Sequence, residues 1–313
     1  MGCGGTLPGA VVACMRGKSA ADLLAAFGPP SGSAAGLFGF SKNLVIQSVD
    51  GHYLPRSTRD AITLGLFNRV PILSGSNRHE GRLIALTDFD LVGRPLNADN
   101  YVQGIAEFLK PTVAAGSGLT AQVVAGLYPL KNFPAPPGYD PYTAPAHLGF
   151  GAWLTDTLFA CPHSGMYDQL AMKLIPTYSY EFADPGPPLY ADGTLLRSSV
   201  FPLGPAHGTE IAYVFGVPVD GSTPYQGMTA AQKTLSQRMQ RYWTNFARTG
   251  NPNGSGLTSW PRYRLLTGGQ ILTFKPDAIA TIDRAAFNNA HQCAVWSTVE
   301  PVESVLFSVL LLA

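Results

Sequence analysis

Alternating and continuous apolar positions predict three strands along the chain. Thr177 to Phe182 alternates around aromatic residues, a pattern typical of a strand. The run Val70-Pro-Ile-Leu-Ser-Gly75 is apolar and is closed by a glycine, which predicts a short buried strand. Ile271 to Phe274 is another apolar run of strand length, and we predict a third strand there.

Two other segments carry helical signals. Ser19 to Phe27 begins at a serine, a preferred N-cap residue, and is followed by Gly28-Pro29-Pro30, which ends a helix. From about Ala230 to Arg248, apolar side chains recur at helical spacing. They are Leu235, Met239, Tyr242, Trp243 and Phe246. Gly250 and Pro252 follow, as expected beyond a helix C-terminus. Strands separated by long helices predict an α/β fold with a parallel sheet.

Composition narrows the class of protein. No repeat, low-complexity tract or linker interrupts the 313 residues, so we predict one domain over residues 1–313. Hydrophobic residues make up 46% and charged residues 13%, which excludes intrinsic disorder. The net charge of +1, without a basic block, argues against a nucleic-acid partner. No apolar run approaches the ~20 residues of a membrane-spanning helix, and we predict no such span.

The histidines do not form a recognisable metal site. They are His52, His79, His147, His163, His207 and His291. None is paired with another His or with Cys at the spacing of a zinc site. No glycine-rich loop fits the phosphate-binding or dinucleotide-binding patterns. We therefore predict no cofactor, and acid–base or nucleophilic chemistry remains as the enzymatic option.

Two ionisable residues stand out by their position. Glu80 follows the strand predicted at Val70–Gly75, and catalytic groups of open α/β sheets collect at the carboxyl ends of strands. His207 lies in the glycine-flanked loop Gly204–Gly208, before an apolar stretch. Each also has a structural explanation, since loop polar residues commonly serve the fold. Glu80 would then be a carboxylate paired with a neighbouring arginine, and His207 a histidine that bonds to the backbone.

These segments resemble the type-B carboxylesterase and cholinesterase family, whose bacterial members include para-nitrobenzyl-esterase-like proteins. The segment from Gln47 to Gly81 is similar to the family stretch that leads into its catalytic acid. Further similar segments are Asp156–Pro162, Tyr178–Phe182, Met239–Asn253 and Trp260–Tyr263. Nearly the whole chain from Cys3 to Trp296 is covered. The resemblance implies the α/β-hydrolase fold, of which we expect this chain to hold the C-terminal portion of the sheet with its helices.

By this resemblance, Glu80 is the acid and His207 the general base of a Ser-Glu-His triad. In such a triad the histidine accepts the nucleophile's proton and returns it to the leaving alcohol, while the acid fixes the imidazole tautomer. The order agrees, because α/β-hydrolases carry Ser, then Asp or Glu, then His along the chain. One departure is His79, which stands where the family usually has Asp. We expect it on an extended loop, pointing away from the side of Glu80.

The nucleophile that the family uses is absent from the sequence. No serine fits the nucleophile-elbow pattern G-x-S-x-G. Ser33, Ser76, Ser117 and Ser255 each follow a glycine directly and fail the spacing. Gly4-Gly5 lacks the preceding His and strand of the family's oxyanion loop. We therefore expect the chain to correspond to the C-terminal half of such an enzyme, separated from its N-terminal half.

The four cysteines allow three disulfide pairings. The resemblance selects Cys3 with Cys14 and Cys161 with Cys293. Because disulfides persist in oxidising compartments, we expect the parent protein to be exported, secreted or periplasmic, although this sequence shows no signal peptide. The alternative is four free, buried thiols in a cytosolic protein.

Three functions are compatible with these features. The first is a serine-type carboxylic-ester hydrolase acting on a small-molecule ester, of which this chain is an incomplete part. The second is an inactive cholinesterase-like binding protein, and the third is a non-functional gene fragment. Retention of Glu80 and His207 favours the first over the second, since an inactive site needs neither. An upstream G-x-S-x-G, a substituted serine, or no reading frame would distinguish the three.

Overall fold

The structure is a computed structural model that describes residues 3, 8–27, 49–112, 118–191, 193–217 and 223–297. Its first helices are α1 (Pro8–Arg16), α2 (Ala20–Phe27), α3 (Thr58–Leu64), α4 (Gly81–Ala85), α5 (Tyr101–Thr112) and α6 (Ala121–Leu127). The later helices are α7 (Ala144–Thr155), α8 (Cys161–Met172), α9 (Ile211–Phe215), α10 (Ala230–Thr249), α11 (Arg284–Ala290) and α12 (Cys293–Trp296). The strands are β1 (Ile72–Asn77), β2 (Thr177–Phe182), β3 (Tyr190–Ala191), β4 (Thr194–Leu195), β5 (Ile271–Lys275) and β6 (Ala278–Ile282).

Four strands form one mixed sheet in the order β1-β2-β5-β6. β1, β2 and β5 are parallel, as the sequence predicts. β6 runs antiparallel to β5, so the prediction of a parallel sheet is wrong for this edge. The turn between β5 and β6 holds only two residues, and a parallel connection needs a crossover of a dozen or more. β3 and β4 form a separate antiparallel pair.

The three predicted strands are present with small changes in their bounds. β2 has the predicted bounds, and β5 extends one residue further, to Lys275. β1 begins two residues later than predicted because Pro71 has no N–H to donate. The first pairing bond therefore comes from the N–H of Ile72 to the carbonyl of Pro176, at 2.8 Å.

Both predicted helices are also confirmed, together with the predicted N-cap Ser19 and the predicted helix end at Gly250. α2 begins just after Ser19, whose Oγ accepts a hydrogen bond from the backbone N–H of Asp22 at 3.1 Å. α10 starts after Thr229, which forms a capping box with Gln232. It ends at Gly250, whose φ of 69° is a left-handed conformation that glycine adopts without strain.

The two faces of the sheet differ in chemistry because successive strand side chains point to opposite sides. One face carries Tyr178, Tyr180 and Phe182 from β2 and packs against aromatic residues of α10. Gly75 of β1 lies beside Tyr180, and a Cβ on this glycine would be 2.3 Å from the tyrosine ring. The other face of β2 carries Thr177, Ser179 and Glu181, all fully buried. This polar face lies toward α8 and the end of α11.

A second layer of core is built from helices. α4 crosses α7 at a pair of glycines, Gly81 and Gly151, which allows the two backbones to approach closely. A Cβ on Gly81 would be 2.4 Å from the carbonyl oxygen of Gly151. Beside this crossing, Phe89, Phe108 and Phe150 pack edge-to-face or tilted, with ring centroids 5.1 to 5.8 Å apart. The crossing fixes where α4 begins, one residue after Glu80.

Both expected disulfides are present. Cys3 pairs with Cys14, with Cα atoms 5.6 Å apart, and Cys161 pairs with Cys293, with Cα atoms 5.1 Å apart. The second bond closes 132 residues of chain and joins α8 to α12. Among the described residues, no helix combines the length and apolar character needed to cross a membrane.

Candidate active site

Glu80 is held at the junction between the sheet and the helical layer. β1 ends at Asn77, a short turn follows, and Glu80 is the N-cap residue of α4 with helical φ and ψ of −43° and −53°. The expected extended loop is therefore wrong, because the chain turns directly from strand into helix. The N–H of the next residue, Gly81, donates to Oγ1 of Thr155 on α7 at 3.0 Å. The Glu80 side chain is 2% exposed.

The structure brings Glu80 and His207 together across 127 residues of chain. Oε2 of Glu80 lies 2.8 Å from Nδ1 of His207. The other oxygen, Oε1, accepts a hydrogen bond from the backbone N–H of Asn77 at 2.6 Å. Since a carboxylate oxygen is an acceptor, Nδ1 carries the proton in this contact, and Nε2 is the basic nitrogen of the neutral ring.

The loop that carries His207 is tied to the end of β1. The N–H of His79 donates to the carbonyl of Pro205 at 3.0 Å. Nδ2 of Asn77 donates to the carbonyl of Ala206 at 2.8 Å. Gly204 and Gly208 flank this contact with φ of 57° and 78°, which explains why the loop has glycine at both ends. The ring of Phe159 lies 5.3 Å from the His207 ring, centroid to centroid.

The surroundings of His207 favour its charged form. Burial by itself disfavours the imidazolium and lowers the pKa. The hydrogen bond that His207 donates to Glu80 and the charge of this carboxylate act in the opposite direction and prevail, so the pKa of His207 lies above its ordinary value. The site is therefore built to stabilise a protonated His207.

A second carboxyl group, which sequence reasoning missed, lies next to this pair. Glu210 is 3% exposed, and its Oε2 accepts a hydrogen bond from Nδ2 of Asn77. Burial, followed by the negative charge of Glu80, raises the pKa of Glu210 to about 7. The only signal in the sequence was its place three residues after His207, at the start of the apolar stretch.

His79 stands where the family usually has Asp, and it adds a neutral ring rather than a negative charge. Its ring lies beside Gly204 and the guanidinium of Arg82, since a Cβ on Gly204 would be 3.2 Å from both. Burial, followed by the positive charges of Arg82 and Arg78, holds the pKa of His79 well below its ordinary value. His79 is therefore a neutral ring at pH 7, on the turn that separates β1 from Glu80.

His291 forms another buried ion cluster, also missed from sequence. Its Nδ1 lies 2.8 Å from Asp156 and its Nε2 lies 3.0 Å from Glu181. Glu181 also pairs with Arg78, at 2.5 Å. Burial lowers the pKa of His291, but the two carboxylates outweigh it and raise the value to about 9. With a side chain only 5% exposed, this imidazolium joins the end of α11 to the polar face of the sheet.

A separate cleft of about 620 Å³ lies between α3, α8 and α11, beside the Cys161–Cys293 disulfide. Neither Glu80 nor His207 lines it. In the described part of the chain, this cleft is therefore separate from the Glu80–His207 pair.

Comparison with known proteins identifies relatives of this chain. The sequence profile of the Carboxylesterase family matches residues 1–296. The chain is 28% identical to carboxylesterase 1C of Rattus norvegicus, over 84% of this chain and 43% of that protein. It is 30% identical to carboxylesterase 5A of Felis catus, over 84% and 43%. It is 28% identical to cocaine esterase of Homo sapiens, over 93% and 46%. The chain thus spans less than half the length of each of these relatives.

Proposed function

Because the chain belongs to the carboxylesterase family, we propose that Glu80 and His207 are the acid and the general base of a serine-type carboxylic-ester hydrolase. The observation that carries this proposal is the 2.8 Å contact between Glu80 Oε2 and His207 Nδ1. A base and the group that orients it need a separation of roughly 2.6–3.2 Å between heavy atoms.

Family membership also confirms the fold class. The family has the α/β-hydrolase fold, and the mixed four-stranded sheet with its covering helices agrees with it. In this fold the catalytic groups follow the strands, at the carboxyl edge of the sheet. Glu80 follows β1 after a two-residue turn, and Asn77 ties the His207 loop to the same edge.

In the proposed reaction, Nε2 of His207 takes the proton of a serine hydroxyl while the serine oxygen bonds to the ester carbonyl carbon. His207 then returns this proton to the leaving alkoxide, which departs as the alcohol, and the acyl group stays on the serine. A water molecule is activated in the same way to release the acid. Glu80 stabilises the imidazolium in each step. This help is strong because the Glu80 side chain is buried and the His207 side chain is only 15% exposed, so that their charges interact more strongly than in water.

The serine is proposed to come from residues outside this sequence. No G-x-S-x-G occurs among the 313 residues. Ser76 is the serine nearest to Glu80 along the chain, but it is an interior residue of β1 and 2% exposed. Its backbone lies in the parallel ladder with β2, opposite Glu181, and not on a strand-to-helix turn. A nucleophile requires such a turn to reach the substrate.

The family suggests the substrate class, and the disulfides suggest the compartment. We propose a small-molecule carboxylic ester as substrate, without a cofactor. The two disulfides support an oxidising compartment for the protein, because such bonds are rare in reducing ones.

The test is to supply the missing serine. The 313-residue chain is expressed together with the G-x-S-x-G half of a carboxylesterase relative, and the complex is isolated before assay. We expect hydrolysis of p-nitrophenyl acetate by this complex. We expect losses of roughly 10³-fold or more in kcat for His207→Gln, and a smaller loss for Glu80→Gln.

Two controls make the outcome decisive. Serine→Ala in the added half removes the nucleophile and sets the background rate. His147→Gln replaces a histidine that packs against Phe201 in the helical layer, far along the chain from Glu80, and should leave the rate unchanged. A complex that forms but hydrolyses the ester equally well with His207→Gln would contradict the proposal.

A further inference from the structure

Asn77 contacts the carboxyl groups of two different glutamates. Its backbone N–H donates to Oε1 of Glu80, and its side-chain Nδ2 donates to Oε2 of Glu210. The same Nδ2 donates to the carbonyl of Ala206, the residue before His207. Both partners of Nδ2 are acceptors, so the orientation of the amide is determined. Asn77 is 1% exposed and thus forms a buried bridge between the two carboxyl groups.

Among the residues that the structure describes, Glu210 has no ion pair with a basic side chain and no capping bond that would require a carboxylate. It is the N-cap residue of α9 but makes no side-chain capping bond. A glutamine would fill the same space and could still accept the bond from Asn77. The charged and titratable groups that face Glu210 are Glu80, His207 and Tyr180. Because these groups are close together, the ionisation of Glu210 changes the proton affinity of the Glu80–His207 pair.

We propose that Glu210 is a positioning residue for the Glu80–His207 pair, which fixes the Glu80 carboxylate through Asn77 and sets how tightly His207 holds its proton. The proposal rests on the proposed function only in calling this pair acid and base. The coupling itself belongs to the isolated chain and does not require a nucleophile.

The coupling has a definite sign. Glu210 changes charge at a pKa of about 7, because it is buried and close to the charge of Glu80. Below this pH the Glu210 carboxyl is neutral, and Glu80 alone stabilises the charged form of His207. Above it, a second negative charge favours the imidazolium, so His207 loses its proton at a higher pH than it otherwise would. The titration of His207 should therefore proceed in two steps, as for any strongly coupled pair.

The experiment follows the ring nitrogens of His207 by NMR in the ¹⁵N-histidine-labelled chain between pH 5 and pH 10. In the wild type we expect an inflection near pH 7 that reports Glu210, in addition to the main step of His207. Glu210→Gln should remove this inflection and move the main step to lower pH. Glu107→Gln, at a half-exposed carboxylate paired with Arg94, is the matched control and should leave His207 unchanged.

The result that overturns the proposal is a His207 titration that is the same in wild type and in Glu210→Gln. If Glu210→Gln fails to fold, the wild type alone decides, because a single-step titration of His207 also overturns the proposal. Failure of the proposed function is a different outcome, since it is the absence of His207-dependent hydrolysis in the two-part complex. The titration of the isolated chain does not depend on that result.

Discussion

Oε2 of Glu80 lies 2.8 Å from Nδ1 of His207, although the two residues are 127 positions apart. Separate contacts fix the position of each of the two residues. On one side, Gly81 and Gly151 let α4 and α7 cross closely, which fixes the turn at Glu80. On the other side, Asn77 binds the His207 loop through the carbonyl of Ala206. The pair is thus a consequence of how the sheet edge and the helical layer meet.

Glu80→Gln should lower the pKa of His207. The variant keeps the burial that disfavours the imidazolium and removes the carboxylate that stabilises it. The measurement is the pH titration of the His207 ring nitrogens in the isolated chain. An unchanged titration would mean that Glu80 does not stabilise the charge on His207.

Gly81→Ala should destabilise the chain by about 1–3 kcal/mol, because a Cβ would collide with the backbone of α7. The new Cβ would lie 2.4 Å from the Gly151 carbonyl oxygen and 2.7 Å from Cβ of Leu154. Gly165→Ala in α8 is the matched control, since nothing lies within 4 Å of a Cβ there. It should be neutral or stabilise by about 0.4–1 kcal/mol. Urea unfolding of both variants measures the difference, and equal effects would argue against a tight crossing at Gly81.

Local patterns predicted the elements better than they predicted the site. β2 and α10 were found almost to the residue, because alternating aromatic residues, apolar residues at helical spacing and a terminating glycine act over short distances. β6 was missed although its sequence, Ala278–Ile282, is mostly apolar, and its side chains are exposed or half-buried in the fold. Its antiparallel direction follows from a two-residue turn that periodicity does not describe.

Local sequence patterns alone did not establish the residues of the candidate site. Glu80 and His207 were assigned their roles by resemblance to a family, since their positions in the sequence alone left a structural explanation open for each. The bridge from Asn77 to Glu210 spans 133 residues, and the contact of His291 with Asp156 spans 135. Contacts this distant in sequence depend on the folded sheet, and no local pattern predicts them.

Removing the two disulfides should have unequal effects. Loop-closure entropy rises with loop length, to about 3 kcal/mol for ~15 residues and about 4.7 kcal/mol for ~100 residues. The double variant Cys161→Ser with Cys293→Ser opens a separation of 132 residues and should cost more than Cys3→Ser with Cys14→Ser, which opens 11. Equilibrium unfolding in urea compares the two. A larger loss from the short loop would contradict this assignment of their roles.

The His291 cluster should make stability depend on pH. The pKa of His291 is about 9 in the folded chain and near its ordinary 6.5 when unfolded, so the folded state binds the proton more tightly. The protonated His291 therefore stabilises the folded state fully below pH ~6.5, and this contribution is lost as the pH rises through about 9. The free energy of unfolding should fall by about 3 kcal/mol over this range. The free energy of unfolding, measured from pH 6 to pH 10, should fall less in His291→Gln than in the wild type. Parallel curves would exclude His291 as the source of the change.

The most direct test of the proposed roles is labelling by a fluorophosphonate, which reacts with an activated serine. The 313-residue chain is treated alone and in complex with a G-x-S-x-G half from a relative, each as wild type and as His207→Ala, and the modified residue is located by mass spectrometry. The isolated chain should show no His207-dependent labelling and should hydrolyse p-nitrophenyl esters no faster than its His207→Ala variant. In the complex, the label should appear on the added serine and disappear with His207→Ala. His207-dependent labelling of the isolated chain at Ser74 or Ser76 would contradict this account and place the nucleophile within the chain itself.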